Sequence, residues 1–268
     1  MKFREDQLER YSRQIAITNV GKEGQEKLLK AKVLVIGTGG LGSPISIYLA
    51  SAGVGHIGIA DSDVVDISNL QRQIVHCTES IGKVKVESAK ERLNAINPDV
   101  EITPYNLRVT SSNIMDIIKH YDIVVDASDN FRTKFLVNDA CIISKKVLSH
   151  GGMFRYDGQT ITILPGKSAC YRCLFPEPPP PGVVPSAQQA GIFGAVAGVI
   201  GTMQANEVLK YILGVGDLLA GKLLVFNALT SSFKQVNVPR DPDCPVCGKN
   251  PTITKLIDYE NFCPVKGG

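Results

Sequence analysis

The stretch AKVLVIGTGGLGSPISIYLASAGVGHIGIAD, residues 31–61, constrains this chain more than any other. It opens on a wholly apolar run, Val33–Ile36, which is too short for a helix and reads as a strand buried on both faces. Gly37, Gly39 and Gly42 follow in G-x-G-x-x-G order, and then a small, apolar helical segment, Ser43–Ala52. Gly37 permits the tight turn, Gly39 lets backbone approach a phosphate, and Gly42 lets helix pack on sheet. A second apolar run, Ile57–Ala60, ends at Asp61, where a carboxylate meets a ribose hydroxyl in such units. Strand, glycine turn, helix and acid together specify a nucleotide-binding α/β unit.

The whole chain has 268 residues, 44% of them hydrophobic, which suits one large domain without a linker. A net charge of +3 provides no polyanion-binding surface, so nucleic acid is not the expected partner. The first residues are charged and lack the apolar core of a secretory leader, and the most apolar later window, Ala187–Met203, is short for a membrane span. A cytoplasmic location without membrane contact follows as the expectation. Seven cysteines, four of them in C-x-x-C pairs, indicate metal or redox chemistry and not a disulfide framework.

Residues Asp6–Leu29 read as two short helices broken near Asn19–Gly21, with Arg10 and Arg13 three apart on what reads as a solvated face. After Asp61, Ser68-Asn69-Leu70-Gln71-Arg72-Gln73 is a polar stretch in which Asn69 and Arg72 could share a helical face. Lys85 precedes the amphipathic helix Val86–Ile96. A bound pyrophosphate can be held by backbone amides, whereas a triphosphate undergoing displacement needs several cations, which Arg72, Lys85 and Arg10 or Arg13 could supply.

A third strand is expected at Val100–Tyr105, a helix at Ser111–Lys119 capped by Ser111 or Ser112, and a fourth, buried strand at Tyr121–Ala127. That strand runs into Asp129 and Asn130. Asp129 is placed either to hold magnesium on phosphate oxygens or to cap the helix Arg132–Ile143. Beyond Val147 the pattern changes to strand, turn at Asp157-Gly158, strand, with further strands at Lys222–Asn227 and Phe233–Val238. A Gly/Ala-rich helix is expected over Gly191–Leu213. The fold class is therefore α/β, a Rossmann-like, mainly parallel sheet continued by antiparallel strands.

Cys170-x-x-Cys173 and Cys244-x-x-Cys247 form two knuckles, and four thiolates make a closed, structural zinc site. A redox pair is the rival reading. For Cys77, Cys141 and Cys263, burial as inert thiols is the expectation.

Taken together, RYSRQ, GTGGLGSP, ASAGVG, SNLQRQ, GKVKVESA, DASDN, CYRCLFPE, CPVCG and PTITKLIDYENFC resemble the ThiF/HesA/MoeB family of sulfur-carrier adenylyltransferases, related to ubiquitin-activating enzymes, over nearly the whole chain. The resemblance implies a single domain over 1–268: N-terminal helices 1–30, a nucleotide-binding half 31–146, a carrier-binding and zinc half 147–254, and a tail 255–268. It implies ATP and magnesium as cofactors beside zinc, and as substrate a ubiquitin-like sulfur carrier of thiamine or molybdopterin type ending in Gly-Gly, whose terminal carboxylate becomes an acyl-adenylate. By motif, Gly39, Gly40 and Asp61 would hold the nucleotide, Ser68, Asn69, Leu70, Gln71 and Arg72 would line the phosphates with Lys85 and Asn130, and Asp129 would bind magnesium. Arg13 would reach into the site of the partner subunit, which implies a homodimer.

Many members carry a cysteine in a P-S-C-x-x-A-G motif; this chain reads Pro185-Ser186-Ala187-Gln188-Gln189-Ala190-Gly191. Ala187 cannot act as a nucleophile. Either the reaction stops at the adenylate, or Ala187 stands where a cysteine was replaced. Two other functions compete: an NAD-dependent oxidoreductase, which shares the glycine turn and acid but has no use for Arg72, Lys85 and Asp129, and a non-catalytic nucleotide-binding scaffold.

Overall fold

The computed structural model describes residues 3–180, 183–185 and 187–259. Cys263, Gly267 and Gly268, and Pro181, Gly182 and Ser186 of the loop before Ala187, lie outside the described residues.

Three helices, not two, precede the sheet: α1 (Glu5–Arg10), α2 (Ser12–Ile15) and α3 (Gly21–Lys30). Then come β1 (Lys32–Ile36), α4 (Gly42–Ala52), β2 (His56–Asp61), α5 (Lys85–Ile96) and β3 (Glu101–Asn106). The second parallel half comprises α6 (Ile114–Ile118), β4 (Ile123–Asp126), α7 (Phe131–Ile143) and β5 (Val147–Phe154). The remainder is β6 (Asp157–Ile163), the short helices α8 (Tyr171–Leu174) and α9 (Ala187–Ala190), the long α10 (Gly194–Leu213), and β7 (Lys222–Asn227) with β8 (Ser232–Asn237).

One eight-stranded sheet runs β3-β2-β1-β4-β5-β6-β7-β8. The pairs from β3 to β5 are parallel, and those from β5 to β8 antiparallel. Two apolar layers cover its faces. One gathers α4, α5 and α10 around Ile45, Leu49, Leu93 and Ile200; the other gathers α6 and α7 around Ile118, Phe135 and Val137. Pro104 sits in β3, which as the edge strand tolerates a residue without an N–H. No helix among the described residues is long and apolar enough to cross a membrane.

The hairpin β5–β6 turns two residues before the expected Asp-Gly. Asp157 already pairs with Phe154, and Arg155, at φ 53°, makes the turn. Gly158 lies within β6 for a different reason: a Cβ there would stand 2.3 Å from Ile200 Cγ1, so its absence lets α10 lie on the sheet. Gly201 does the same on the other side of α10, where a Cβ would come within 2.5 Å of Pro44 on α4. The helix starts later than expected, at Ile114, with Asn113 at the N-cap position and no side-chain cap, while Ser111 donates both its N–H and its Oγ to Asp258.

Gly53 explains the ASAGVG run that closes α4. It ends the helix at φ +82°, and a Cβ would stand 2.6 Å from the buried Tyr11 ring. Left-handed strain and overpacking each cost roughly 1–3 kcal/mol. Gly53→Ala is therefore expected to destabilise the protein by about 3 kcal/mol, read as a lower denaturant midpoint at unchanged slope.

Candidate active site

Strands β1 and β4 are neighbours, but the chain leaves them toward opposite edges of the sheet, which opens a crevice beyond their carboxyl ends. The glycine turn after β1 and the loop Ala127–Asn130 after β4 form its walls. They touch: a Cβ at Gly37, whose φ is +96°, would lie 2.8 Å from the Ala127 carbonyl oxygen. Gly42 is required inside the turn, since its Cβ would sit 1.9 Å from the Gly37 oxygen.

Asp61, at the end of β2, is oriented by this turn. Its Oδ2 accepts the Thr38 N–H at 2.8 Å and the Thr38 hydroxyl at 3.0 Å, and its Oδ1 accepts the Asp63 N–H at 3.0 Å. Three of a carboxylate's roughly four lone-pair positions are thereby used, leaving one on Oδ1 for a further donor. Lys85, the first residue of α5, is buried with Nζ 2.8 Å from Asp63 Oδ2, while Asp63 is largely exposed. Its ammonium already has an anionic partner at the rim of the crevice.

The SNLQRQ stretch begins inside a 3-10 turn, Ile67–Asn69, capped by Asp66, whose carboxylate accepts the Ser68 N–H at 2.8 Å and hydroxyl at 2.6 Å. These Ser68 bonds hold the Asp66 carboxyl below its ordinary pKa. Arg72 Nη1 donates back to the Ser68 carbonyl at 3.0 Å, so Arg72 turns toward Ser68 rather than presenting a common face with Asn69. The Arg72 stem passes 3.5 Å from where a Gly40 Cβ would be, and Met153 and Ala197 close on the same point from β5 and α10. Gly40 is where Arg72, the sheet and the long helix converge. Gln71 crowds Gly194 at the start of α10.

The capping alternative for Asp129 is overturned: Asn130, not Asp129, caps α7, accepting the Thr133 N–H at 2.9 Å as the backbone enters the helix one residue later. Asp129 stays exposed, with only the Asn130 amide at 3.4 Å from its Oδ1. Behind it lies a buried cluster that sequence reasoning missed. Asp126 accepts the Ser128 N–H at 3.0 Å and hydroxyl at 2.6 Å, and its Oδ2 lies 3.2 Å from Lys134 Nζ and 2.8 Å from His150 Nδ1. Lys134 also donates to the Gly151 carbonyl at 2.6 Å, tying β5 to α7. Burial alone would raise the Asp126 pKa, but Lys134, His150 and Ser128 overturn it and hold the carboxyl far below its usual range. The signal was Lys134, directly before the apolar-rich FLVNDACII and four residues after the cap Asn130.

The N-terminal motif divides. Tyr11 is buried and accepts the Asn97 amide at 2.8 Å, and Arg10 donates to the Ile96 carbonyl at 2.9 Å, so both serve their own domain. Arg13 is exposed on α2 and, among the described residues, forms no hydrogen bond or ion pair.

Cys170, Cys173, Cys244 and Cys247 come together with all four sulfurs within 4.8 Å of one another. The distances 3.6 Å (170–244), 3.5 Å (173–247) and 3.9 Å (170–173) match the roughly 3.8 Å between corners of a tetrahedron with Zn–S bonds of about 2.3 Å. The donor set fits zinc. N–H groups of Cys170 and Asp241 point at Cys173 Sγ at 3.4 and 3.5 Å. The buried Arg172 fixes the first knuckle to α7 by a two-pronged pair with Asp139 at 2.8 and 3.0 Å. Cys141 is buried as expected, but Cys77 is exposed, because the turn after Arg72 places it on the surface.

Burial lowers the pKa of His76, opposed by its bond to Thr38, and burial with Lys134 lowers that of His150 against the pull of Asp126. Both therefore fold neutral, whereas in the unfolded chain they titrate near 6.5. The unfolded state binds more protons below that pH, so stability rises with pH between the folded values and about 6.5. Going from about pH 7.5 to 5.5 is expected to remove up to about 3 kcal/mol, checked by denaturant unfolding at each pH; Asp126 stays ionised throughout.

A concavity of about 390 Å³ between α10 and β7, lined by Met203, Glu207, Lys210 and Phe233, includes none of the crevice residues.

The family model "ThiF family" matches residues 11–246. The chain is 48% identical to a sulfur carrier protein adenylyltransferase of Thermus thermophilus, over 99% of this chain and 100% of that one. It is also 48% identical to the adenylyltransferase and sulfurtransferase MOCS3 of Culex quinquefasciatus, over 99% of this chain but only 61% of that protein's length. Among solved structures it superposes on E. coli MccB, crystallised with ATP, with a TM-score of 0.75 at 26% identity, covering 89% of this chain and 73% of that one. The glycine turn, the convergent crevice and the paired cysteine knuckles thus belong to a known lineage: this chain is a member of the ThiF family.

Proposed function

We propose that this protein uses ATP to adenylate the C-terminal glycine carboxylate of a ubiquitin-like sulfur-carrier protein, releasing pyrophosphate. The single observation that carries the reading is one crevice edged by an oriented acid, two basic groups and an exposed second acid: Asp61, Lys85, Arg72 and Asp129. A dinucleotide-dependent oxidoreductase needs the first of these and not the rest. Full-length similarity to the Thermus relative supports the carrier as substrate.

In this reading the remaining lone pair of Asp61 takes a ribose hydroxyl, with Gly39 and Gly40 admitting the nucleotide against bare backbone. Lys85 exchanges Asp63 for phosphate oxygens, and Arg72, released from the Ser68 carbonyl, contributes its charge to the phosphates. One carrier carboxylate oxygen forms a bond to the α-phosphorus while the bond to the bridging oxygen of pyrophosphate breaks. No general base is needed, because a C-terminal carboxylate is ionised at neutral pH. The obstacle is repulsion between two anions, which the cations offset where charge develops. Magnesium held at Asp129 would neutralise further phosphate charge. Exposed Arg13 is assigned to the partner subunit's crevice in a homodimer, and the tetrahedral cysteine set to structural zinc. Ala187, at the start of α9, offers no thiol for a later thioester.

Incubation with ATP, magnesium and a Gly-Gly-ended carrier tests the reading by intact-protein mass spectrometry. Carrier mass should rise by one AMP, and hydroxylamine should convert it to the hydroxamate. ATP consumption without a hydroxylamine-sensitive adduct would contradict it.

A further inference from the structure

His76 is buried, lies outside the phosphate-lining motif, and has both ring nitrogens engaged. Nε2 is 3.1 Å from the Thr38 carbonyl oxygen, inside the glycine turn. Nδ1 is 2.9 Å from Ser88 Oγ, on α5. A carbonyl only accepts, so Nε2 carries the proton and Nδ1 accepts from the serine hydroxyl. Burial keeps the imidazole neutral, which this arrangement requires.

These bonds close a ring. Thr38 holds Asp61 Oδ2 through its N–H and hydroxyl, and Asp61 Oδ1 holds the Asp63 N–H. Asp63 in turn takes Lys85 through its carboxylate, at 2.8 Å, and through its carbonyl, which accepts the Lys85 N–H at 2.9 Å. Lys85 and Ser88 lie three residues apart on α5, and Ser88 leads back through His76 to Thr38. Without His76 this ring opens, and Asp61 and Lys85 remain connected through the exposed Asp63 and through the backbone bonds of Val65 with Lys83 and Gly82, none of which reaches the glycine turn.

We propose that His76 is a positioning residue: by clamping the glycine turn to α5, it fixes the separation of the Asp61 carboxylate and the Lys85 ammonium, and so the fit of a nucleoside triphosphate spanning both. The proposal rests on the reading of this crevice as an ATP site. Two groups that must engage one ligand at once gain from a fixed spacing, because the ligand then does not bear the cost of ordering them. His76 itself touches no substrate.

Titration calorimetry with magnesium-ATP on the full chain tests this, with melting temperature recorded for each variant. His76→Phe, which removes both bonds, is expected to weaken ATP about tenfold, and Ser88→Ala about threefold. His76→Gln, which can still donate to Thr38, should recover most of the loss. The pair His76→Phe with Ser88→Ala should bind no more weakly than His76→Phe alone, because both act through one link. A merely structural histidine would lower the melting temperature and leave ATP affinity within twofold of wild type, and that result overturns the proposal. If His76→Phe does not fold, Ser88→Ala and His76→Gln decide it: unchanged affinity in Ser88→Ala overturns the clamp. Asp61→Ala separates the two readings. Weakened binding in Asp61→Ala with unchanged His76 and Ser88 variants removes the clamp alone, whereas no ATP binding by the wild type removes both.

Discussion

Asp129→Ala is expected to lower ATP/pyrophosphate exchange by about 10²–10³-fold while leaving the melting temperature unchanged, because removing one well-aimed charge-stabilising group costs that much in rate. The separation of the two effects is the informative part. Asp129 is exposed and, among the described residues, makes only a 3.4 Å contact with the neighbouring amide, so its removal leaves the described packing intact. Its neighbour Asp126, three residues earlier, is expected to behave in the opposite way. That carboxylate is fully buried between Lys134 and His150, and breaking a buried pair typically costs about 3–5 kcal/mol. Asp126→Ala should therefore fail as a fold before it fails as an enzyme, a contrast that circular dichroism melts and exchange assays read together.

Removal of zinc should have the second large effect. Four sulfurs at tetrahedral spacing bind such a metal with a free energy on the order of 10 kcal/mol, comparable with the whole stability of a domain. The knuckles fasten the excursion between α8 and Cys247 onto α7 through Arg172 and Asp139. A strong chelator is expected to lower the melting temperature by tens of degrees and release one zinc per chain, measured by atomic absorption. Cys244→Ser should reproduce the loss without chelator. A protein purified without stoichiometric zinc that melts at the same temperature with and without chelator would remove the metal from the account.

The parallel half of the fold was legible in the sequence because buried strands are written as unbroken apolar runs and their turns as glycine. Val33–Ile36, the G-x-G-x-x-G turn and Asp61 fall where that pattern puts them. The hairpin was misplaced because Gly158 serves helix packing against Ile200, and local turn chemistry cannot reveal a contact with a helix some forty residues later. Likewise Asn130 and Asp129 are equivalent as caps on propensity, and the backbone entering α7 selects Asn130. Asp126, Lys134 and His150 were missed because each is an ordinary polar residue until two strands and a helix bring them together. Tyr11 shows the same limit within a recognised motif: the arginine spacing around it indicated a solvated face and gave no sign that its ring is buried in a slot left by Gly53.

The central claim is that the crevice joins a carrier's terminal carboxylate to the α-phosphate of ATP. ATP/pyrophosphate exchange measured with a Gly-Gly-ended ubiquitin-like carrier, and with the same carrier lacking its final glycine, tests it most directly. Exchange that needs the intact terminus is the predicted result. Exchange that proceeds equally with the truncated carrier, or no exchange despite tight ATP binding, would contradict it.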